Sequence, residues 1–295
     1  MRKLLLFCWL QIIVISGLAA QYAPTAAENS LLWEIQGKEL KQASFLFGTI
    51  HLISKKDFEL TDATLAAVDK AQSVVFEINM EQMTNIGTLL PLMMKAFMAD
   101  GKTLRSLLPD ADYKLVRNHF EELGLPMFML ERIKPMFLSA LGSADLGKSS
   151  DTEESVSYEI ELMKIARQQR KKIDGLETID FQMSIFDSIP YEAQAQMLVE
   201  SIRAGERGND QFVQLVELYK QQDLIGLQHM MEQDAETSSY SDILLVRRNQ
   251  AWIPRMTDMM HKKPTFFAVG AGHLAGEQGV IALLRQAGYT VKPLK

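Results

Sequence analysis

Three of the five histidines in this chain stand three residues after a glycine, and two of them, His51 and His273, do so at the end of an apolar run bounded like a strand; the third, His229 after Gly226, falls on an expected helix. One run is Phe45-Leu46-Phe47-Gly48-Thr49-Ile50-His51 and the other is Phe266-Phe267-Ala268-Val269-Gly270-Ala271-Gly272-His273. With 17 glycines and five histidines in 295 residues, chance supplies about 0.3 such Gly-x-x-His pairs. Two acids hold matching positions, Glu77 closing Val74-Val75-Phe76-Glu77 and Glu177 closing Ile173-Asp174-Gly175-Leu176-Glu177. A glutamate directly after an apolar strand is costly to bury without a partner. Glycine lets a chain turn sharply as it leaves a sheet, so the following residues project over the rim where open α/β sheets bind ligands. Two histidines and two glutamates at four strand exits therefore point to one converging site.

Each residue also has a plainer reading. A lone histidine after a strand is usually a hydrogen-bonded turn residue, Glu77 can be a half-exposed strand residue, and Glu177 can cap the helix beginning near Thr178. The matched pair of Gly-x-x-His signals lifts the set above these. His119, His229 and His261 fall on expected helices among charged residues and read as surface. Gly270-Ala271-Gly272 after a strand is reminiscent of a dinucleotide fingerprint, but no acid ends a following strand to take a ribose. Neither G-x-S-x-G nor H-E-x-x-H occurs, which removes α/β-type serine hydrolases and ordinary zincins.

The elements that must position these residues follow from periodicity. Leu31–Ile35 and Ser44–Ile50 read as a hairpin, Thr61 caps a helix through Ala71 with Leu65 and Val68 on one face, and Ser73–Ile78 is a third strand. Helical spacing marks 81–99, 110–123, 134–146, 153–169, 178–188, 191–205, 209–221 and 223–232, interrupted by a strand over Lys171–Gly175. A helix over Asp242–Met260 with a kink at Pro254, strand Thr265–Val269, helix Gln278–Ala287 and strand Tyr289–Lys292 close the chain, the last three with the length of a βαβ crossover. The expected fold is α+β: one mixed sheet built from N- and C-terminal strands, with a large helical middle, about 81–260, covering it. The frequent methionines, among them Met93, Met94, Met127, Met129, Met230, Met231, Met259 and Met260, read as core fillers.

The chain is 47% hydrophobic and 23% charged with a net charge of −6, which argues against a nucleic-acid binder. No second long apolar run exists, so a multi-pass membrane protein is excluded. Arg2 and Lys3, the apolar stretch Leu4–Leu18 and the small Ala19-Ala20 have the order of a secretory signal peptide over 1–20, with an uncleaved anchor helix as the rival. Cleavage takes away two basic residues and no acid, so −6 becomes −8, and removes Cys8, the only cysteine. The mature chain, one domain over 21–295, then has no thiol. It would be exported, to the periplasm in a double-membraned bacterium, with no stable membrane span left.

Gly48-Thr49-Ile50-His51, Val74-Val75-Phe76-Glu77, Gly175-Leu176-Glu177-Thr178 with Gln182, Arg248-Asn249 and Val269-Gly270-Ala271-Gly272-His273-Leu274-Ala275-Gly276 occur in the order seen in the TraB/GumN family, which the chain resembles from about Leu31 to its C-terminus. Glu159 stands where many members have an acid seven residues before an alanine, here Ala166, although the glycine that usually precedes it is missing. That family is similar to Tiki-type proteases, described as metal-dependent and using both Gly-x-x-His motifs with a glutamate. It is also related in pattern to erythromycin-esterase-like proteins, in which His and Glu activate water.

The resemblance implies hydrolysis without naming what is hydrolysed; the expected substrate is a peptide or a small ester or amide. On the leading reading His51, Glu77 and His273 hold a divalent ion, Mn²⁺, Co²⁺ or Zn²⁺, that activates water. Glu177 is then the general base and Arg248 stabilises the oxyanion; Arg247-Arg248 as a solvated helix face is an equal alternative. A second reading is a metal-free esterase-like site in which His51 or His273 works against a glutamate. A third is a non-catalytic protein whose cleft only captures a ligand.

Overall fold

A computed structural model describes residues 21–84, 87, 93–143, 155–206, 210–233 and 238–295. The signal segment 1–20 lies outside these residues, as do parts of the helices expected over 81–99 and 134–146.

Six strands form the main sheet: β1 (Leu32–Gln36), β2 (Ser44–Thr49), β4 (Ser73–Ile78), β6 (Lys172–Glu177), β7 (Thr265–Gly270) and β8 (Thr290–Leu294). Their order is β6-β4-β7-β2-β1-β8. β6, β4, β7 and β2 run parallel to one another, while β1 is antiparallel to both β2 and β8. N- and C-terminal strands thus interleave in one mixed sheet, as the sequence predicts. The hairpin turns through Gly37, Lys38 and Glu39, all at positive φ.

The sheet is buried on both faces, which is why its strands read as continuous apolar runs. On one face Phe45, Phe47, Val74, Phe76 and Phe266 pack under α1 (Asp62–Lys70), α4 (Tyr158–Gln168) and α7 (Asp210–Lys220). On the other, Trp33, Leu46, Val75, Leu176 and Phe267 meet α9 (Arg247–Lys262) and α10 (Val280–Gln286). A third apolar cluster lies away from the sheet, joining α2 (Asp110–Glu122), α3 (Pro135–Ser143) and α6 (Tyr191–Glu206) through Val116, Phe120, Leu138 and Leu198. α5 (Ile179–Asp187) follows β6 directly, and α8 (Leu224–Gln233) follows α7.

Several local expectations need correcting. Thr61 does cap α1, its hydroxyl accepting from the Thr64 N–H, but Ala67 and Val68 face the core while Leu65 is 36% exposed. Over 81–99 the described residues open with a 3-10 segment, Met80–Thr84, are α-helical at 87 and 93–95, and end in a bridge from Phe97 to Ile133. Met93, Met94 and Met129 are exposed, whereas Met127 and Met260 do fill the core. Pro254 sits inside α9 without ending it. The sequence pattern also misses a two-stranded ladder, β3 (Ile53–Ser54) against β5 (Ser155–Val156); two residues are too short for any period to register.

Candidate active site

β2, β7, β4 and β6 are neighbours and parallel, so Thr49, Gly270, Ile78 and Glu177 end at one rim of the sheet. Neither Gly48 nor Gly270 takes a positive φ. Their lack of a side chain matters for space instead. A Cβ on Gly48 would stand 3.0 Å from Leu274 and 3.2 Å from the Ala271 methyl, and one on Gly270 would stand 3.3 Å from Glu77 Oε1. Glycine therefore lets the two Gly-x-x-His segments lie against each other and lets Glu77 accept the Gly270 N–H at 2.8 Å.

His51 is paired with Glu159. Its Nδ1 lies 3.0 Å from Glu159 Oε1, which also accepts the Thr49 hydroxyl at 2.7 Å. The other carboxylate oxygen accepts from Ser157 Oγ at 2.9 Å. A carboxylate can only accept, so Nδ1 carries the proton and Nε2 presents its lone pair. That ring is open to the cleft, 79% exposed, while the Glu159 side chain is 11% exposed. The ladder of β3 on β5 produces this pairing: it draws the chain just after His51 onto the residues just before α4, whose first turn holds Glu159. A carboxylate in the first turn also suits the helix dipole.

The other polar residues converge on Arg248. Its Nε donates to Glu177 Oε1 and Oε2 at 3.1 and 3.2 Å, and Nη2 to Glu177 Oε1 and Glu77 Oε2, both at 2.6 Å. Nη1 donates to the Leu244 carbonyl at 3.0 Å and faces His273 Nε2 at 3.1 Å. All the N–H groups of the guanidinium are thereby matched to protein acceptors. Leu244 belongs to a π-helical turn, Asp242–Val246, that leads into α9; such turns break the regular ladder and free backbone groups for other uses. Glu177 also accepts from the Trp252 indole at 3.0 Å and the Gln182 amide at 3.1 Å. Gln182 reaches Glu77 Oε2 at 3.3 Å as well.

His273 is buried, 4% exposed, and its tautomer is set by Asn249. The Asn249 amide nitrogen donates to the carbonyls of Gln278 at 2.9 Å and His273 at 3.4 Å. Its oxygen is left to accept from His273 Nδ1 at 2.6 Å. His273 Nε2 is then the unprotonated nitrogen, turned to Arg248.

The electrostatics follow from these contacts. Burial and the Arg248 charge push His273 down to about 4, against the pull of Glu77. Burial would raise Glu77, but His273, Arg248 and the Gly270 N–H outweigh it and hold that carboxyl at about 2. With His273 neutral above about pH 4, Arg248 is the standing positive charge beside Glu77. Burial works against the Arg248 charge, yet Glu77 and Glu177 keep it protonated. The hydrogen bond to Glu159 raises His51 above the ordinary histidine value, with Glu77 adding to the effect.

Of the residues singled out by sequence, Glu77, Glu177, Arg248 and His273 thus form one cluster, and His51 pairs with Glu159 beside it. The family resemblance implies a divalent ion on His51, Glu77 and His273. Glu77 Oε1 and His273 Nε2 do approach to 3.7 Å, but a guanidinium touches both residues. Among the described residues no three His, Cys, Asp or Glu side chains converge as a cation cage. The donors in this arrangement do not fit a metal ion.

The sequence marks Glu159, Asn249 and Gln182 only as parts of a motif order and does not single out Trp252. Trp252 had a signal: it lies four residues after Arg248, on the same helix face. Its ring stands 4.5 Å from the His273 ring and 5.0 Å from the guanidinium carbon.

His51, Glu77, Glu159 and Arg248 line one cleft of about 410 Å³, walled by apolar residues such as Ile185 and Phe186. A larger cavity of about 460 Å³ under Phe58 and Tyr219 contains none of these four. No helix among the described residues is long and apolar enough to cross a membrane.

Metalloprotease TIKI1 of Danio rerio is 24% identical over 323 residues, covering 91% of this chain and 64% of its own length. Metalloprotease TIKI1 of Homo sapiens is 24% identical over 317 residues, 90% of this chain and 62% of its own. An uncharacterized protein of Treponema pallidum is 24% identical over 274 residues, 88% of this chain and 81% of its own. The chain therefore spans less than two thirds of the TIKI1 proteins it matches. No solved structure matches. The profile of the TraB/PrgY/gumN family matches residues 31–293, nearly all of what the structure describes, and the chain belongs to that family.

Proposed function

We propose that this chain is an exported hydrolase of peptide, amide or ester bonds in which His51 activates water. The observation that carries the reading is the His51–Glu159 pair at 3.0 Å with its outer nitrogen open to the cleft. Glu159 holds Nδ1–H, so Nε2 takes a proton from water as the water oxygen attacks the carbonyl carbon. The tetrahedral adduct collapses, the C–N or C–O bond breaks, and the His51 proton passes to the departing amine or alkoxide. Glu77, ionised in the same cleft, is the second acceptor that orients the water. Arg248 positions Glu77, Glu177 anchors Arg248, and His273 stays neutral behind them. In this division of labour Glu177 is a positioning residue, because Arg248, Trp252 and Gln182 already occupy its oxygens.

A second reading, assistance by Mn²⁺, Co²⁺ or Zn²⁺, is favoured by the name metalloprotease that the vertebrate relatives carry. Turnover of peptide and ester libraries by the chelated protein, beside His51→Ala and Glu159→Gln, tests the first reading. Activity that survives chelation and disappears with His51→Ala supports it; activity indifferent to His51→Ala defeats it. Export is supported by the Arg2-Lys3 start, the apolar Leu4–Leu18 stretch and the Ala19-Ala20 exit.

A further inference from the structure

We propose that Arg248 is the built-in cation of this centre: Glu77, Glu177 and His273 are ligands of its guanidinium and not of a metal ion. Buried carboxylates need a countercharge and full hydrogen bonding. A guanidinium supplies a permanent charge and five donors in a fixed fork. Here the fork is used up, with donors spent on Glu177, Glu77, His273 and the Leu244 carbonyl. One positive charge meets two carboxylates and a neutral imidazole, and the Trp252 ring face adds a cation–π contact at 5.0 Å.

A metal ion at Glu77 and His273 would have to expel that fork, and expulsion would also strip Glu177 of its partner. The side chain could not simply swing away, because Nε is held by Glu177 and Nη1 by the Leu244 carbonyl. Asn249 reinforces the arrangement. Its amide is fixed by two carbonyls, so His273 must carry its proton on Nδ1 and offer Nε2 to Arg248. The inference stands apart from the hydrolytic reading, since it concerns what neutralises the buried acids and not what is cleaved.

The test uses the exported full chain. Elemental analysis and calorimetric titration with Mn²⁺, Co²⁺ and Zn²⁺ are compared for the wild type, Glu77→Gln and His273→Ala. The expected result is no stoichiometric ion that depends on Glu77 or His273. Arg248→Ala should then gain a melting-temperature rise with added ion, because the vacated space leaves two carboxylates and an imidazole facing one another. A stoichiometric ion in the wild type that both Glu77→Gln and His273→Ala release overturns the proposal. So does a folded Arg248→Ala that binds no ion. If these variants do not fold, the wild type alone decides by ¹⁵N spectra of its histidines. The His273 pattern of a protonated Nδ1 and an accepting Nε2 should persist on adding ion, and a displaced Nε2 signal refutes the assignment.

Discussion

The Nδ1 atom of His51 lies 3.0 Å from Glu159 Oε1, although 107 residues separate the two in the chain. Glu159 is itself buried and held by Thr49 and Ser157, so the ring it orients is fixed on one side while its other nitrogen faces the cleft. The first prediction concerns this pair. Glu159→Gln should lower kcat about 10²- to 10⁴-fold, the range for an oriented general base. Because Glu159 raises the His51 pKa, the wild-type rate should climb only above the ordinary histidine range, as the base form appears. In Glu159→Gln the residual rate should climb at lower pH. A pH–rate profile that does not move argues against His51 as the titrating base.

His51→Ala should abolish turnover while changing stability by no more than about 0.5 kcal/mol, as expected for an exposed side chain. Denaturant unfolding and activity on the same preparation check this. Full activity in the folded variant would exclude His51 as the group that activates water, whereas loss of turnover in a folded variant excludes a cleft that only captures a ligand.

Glu177→Ala should do the reverse of a simple active-site lesion. The side chain is 4% exposed and paired with Arg248, and breaking such a pair costs about 3–5 kcal/mol because a buried charge is stranded. Urea midpoints measure it. A loss of turnover with unchanged stability would instead mark Glu177 as a group acting directly on substrate.

Stability should fall as pH is lowered from about 6.5 toward 4. His273 has a native pKa of about 4 against 6.5 for the ordinary group, so in that window the unfolded chain binds a proton that the native chain does not. Below 4.5 Glu77, held at about 2, extends the loss in the same direction. His51, with its raised pKa, works in the opposite sense. Urea unfolding in a His51→Ala background isolates the first effect, and a flat profile between pH 7 and 5 would contradict a neutral His273.

Exported material should begin near Gln21, after Ala19 or Ala20. N-terminal sequencing that finds Met1 would indicate a retained anchor.

The strands of the sheet, and the polar residues at their exits, are legible in the sequence. Apolar runs ending at or just before His51, Glu77, Glu177 and His273 state where strands stop, and because the structure makes these four strands parallel their exits share one edge. Tertiary structure alone decided which of these side chains meet. Glu159 reaches His51 through a ladder of two residues against two, β3 on β5, too short to leave a periodic trace. Arg248 looks in sequence like half of an exposed Arg-Arg pair, yet a helix laid across the strand ends buries it with every N–H matched. Local patterns encode the faces of strands and helices, because neighbours a few residues apart set them. The pairing of charges across more than a hundred residues depends on how those faces pack, and packing is settled only when the whole chain has folded.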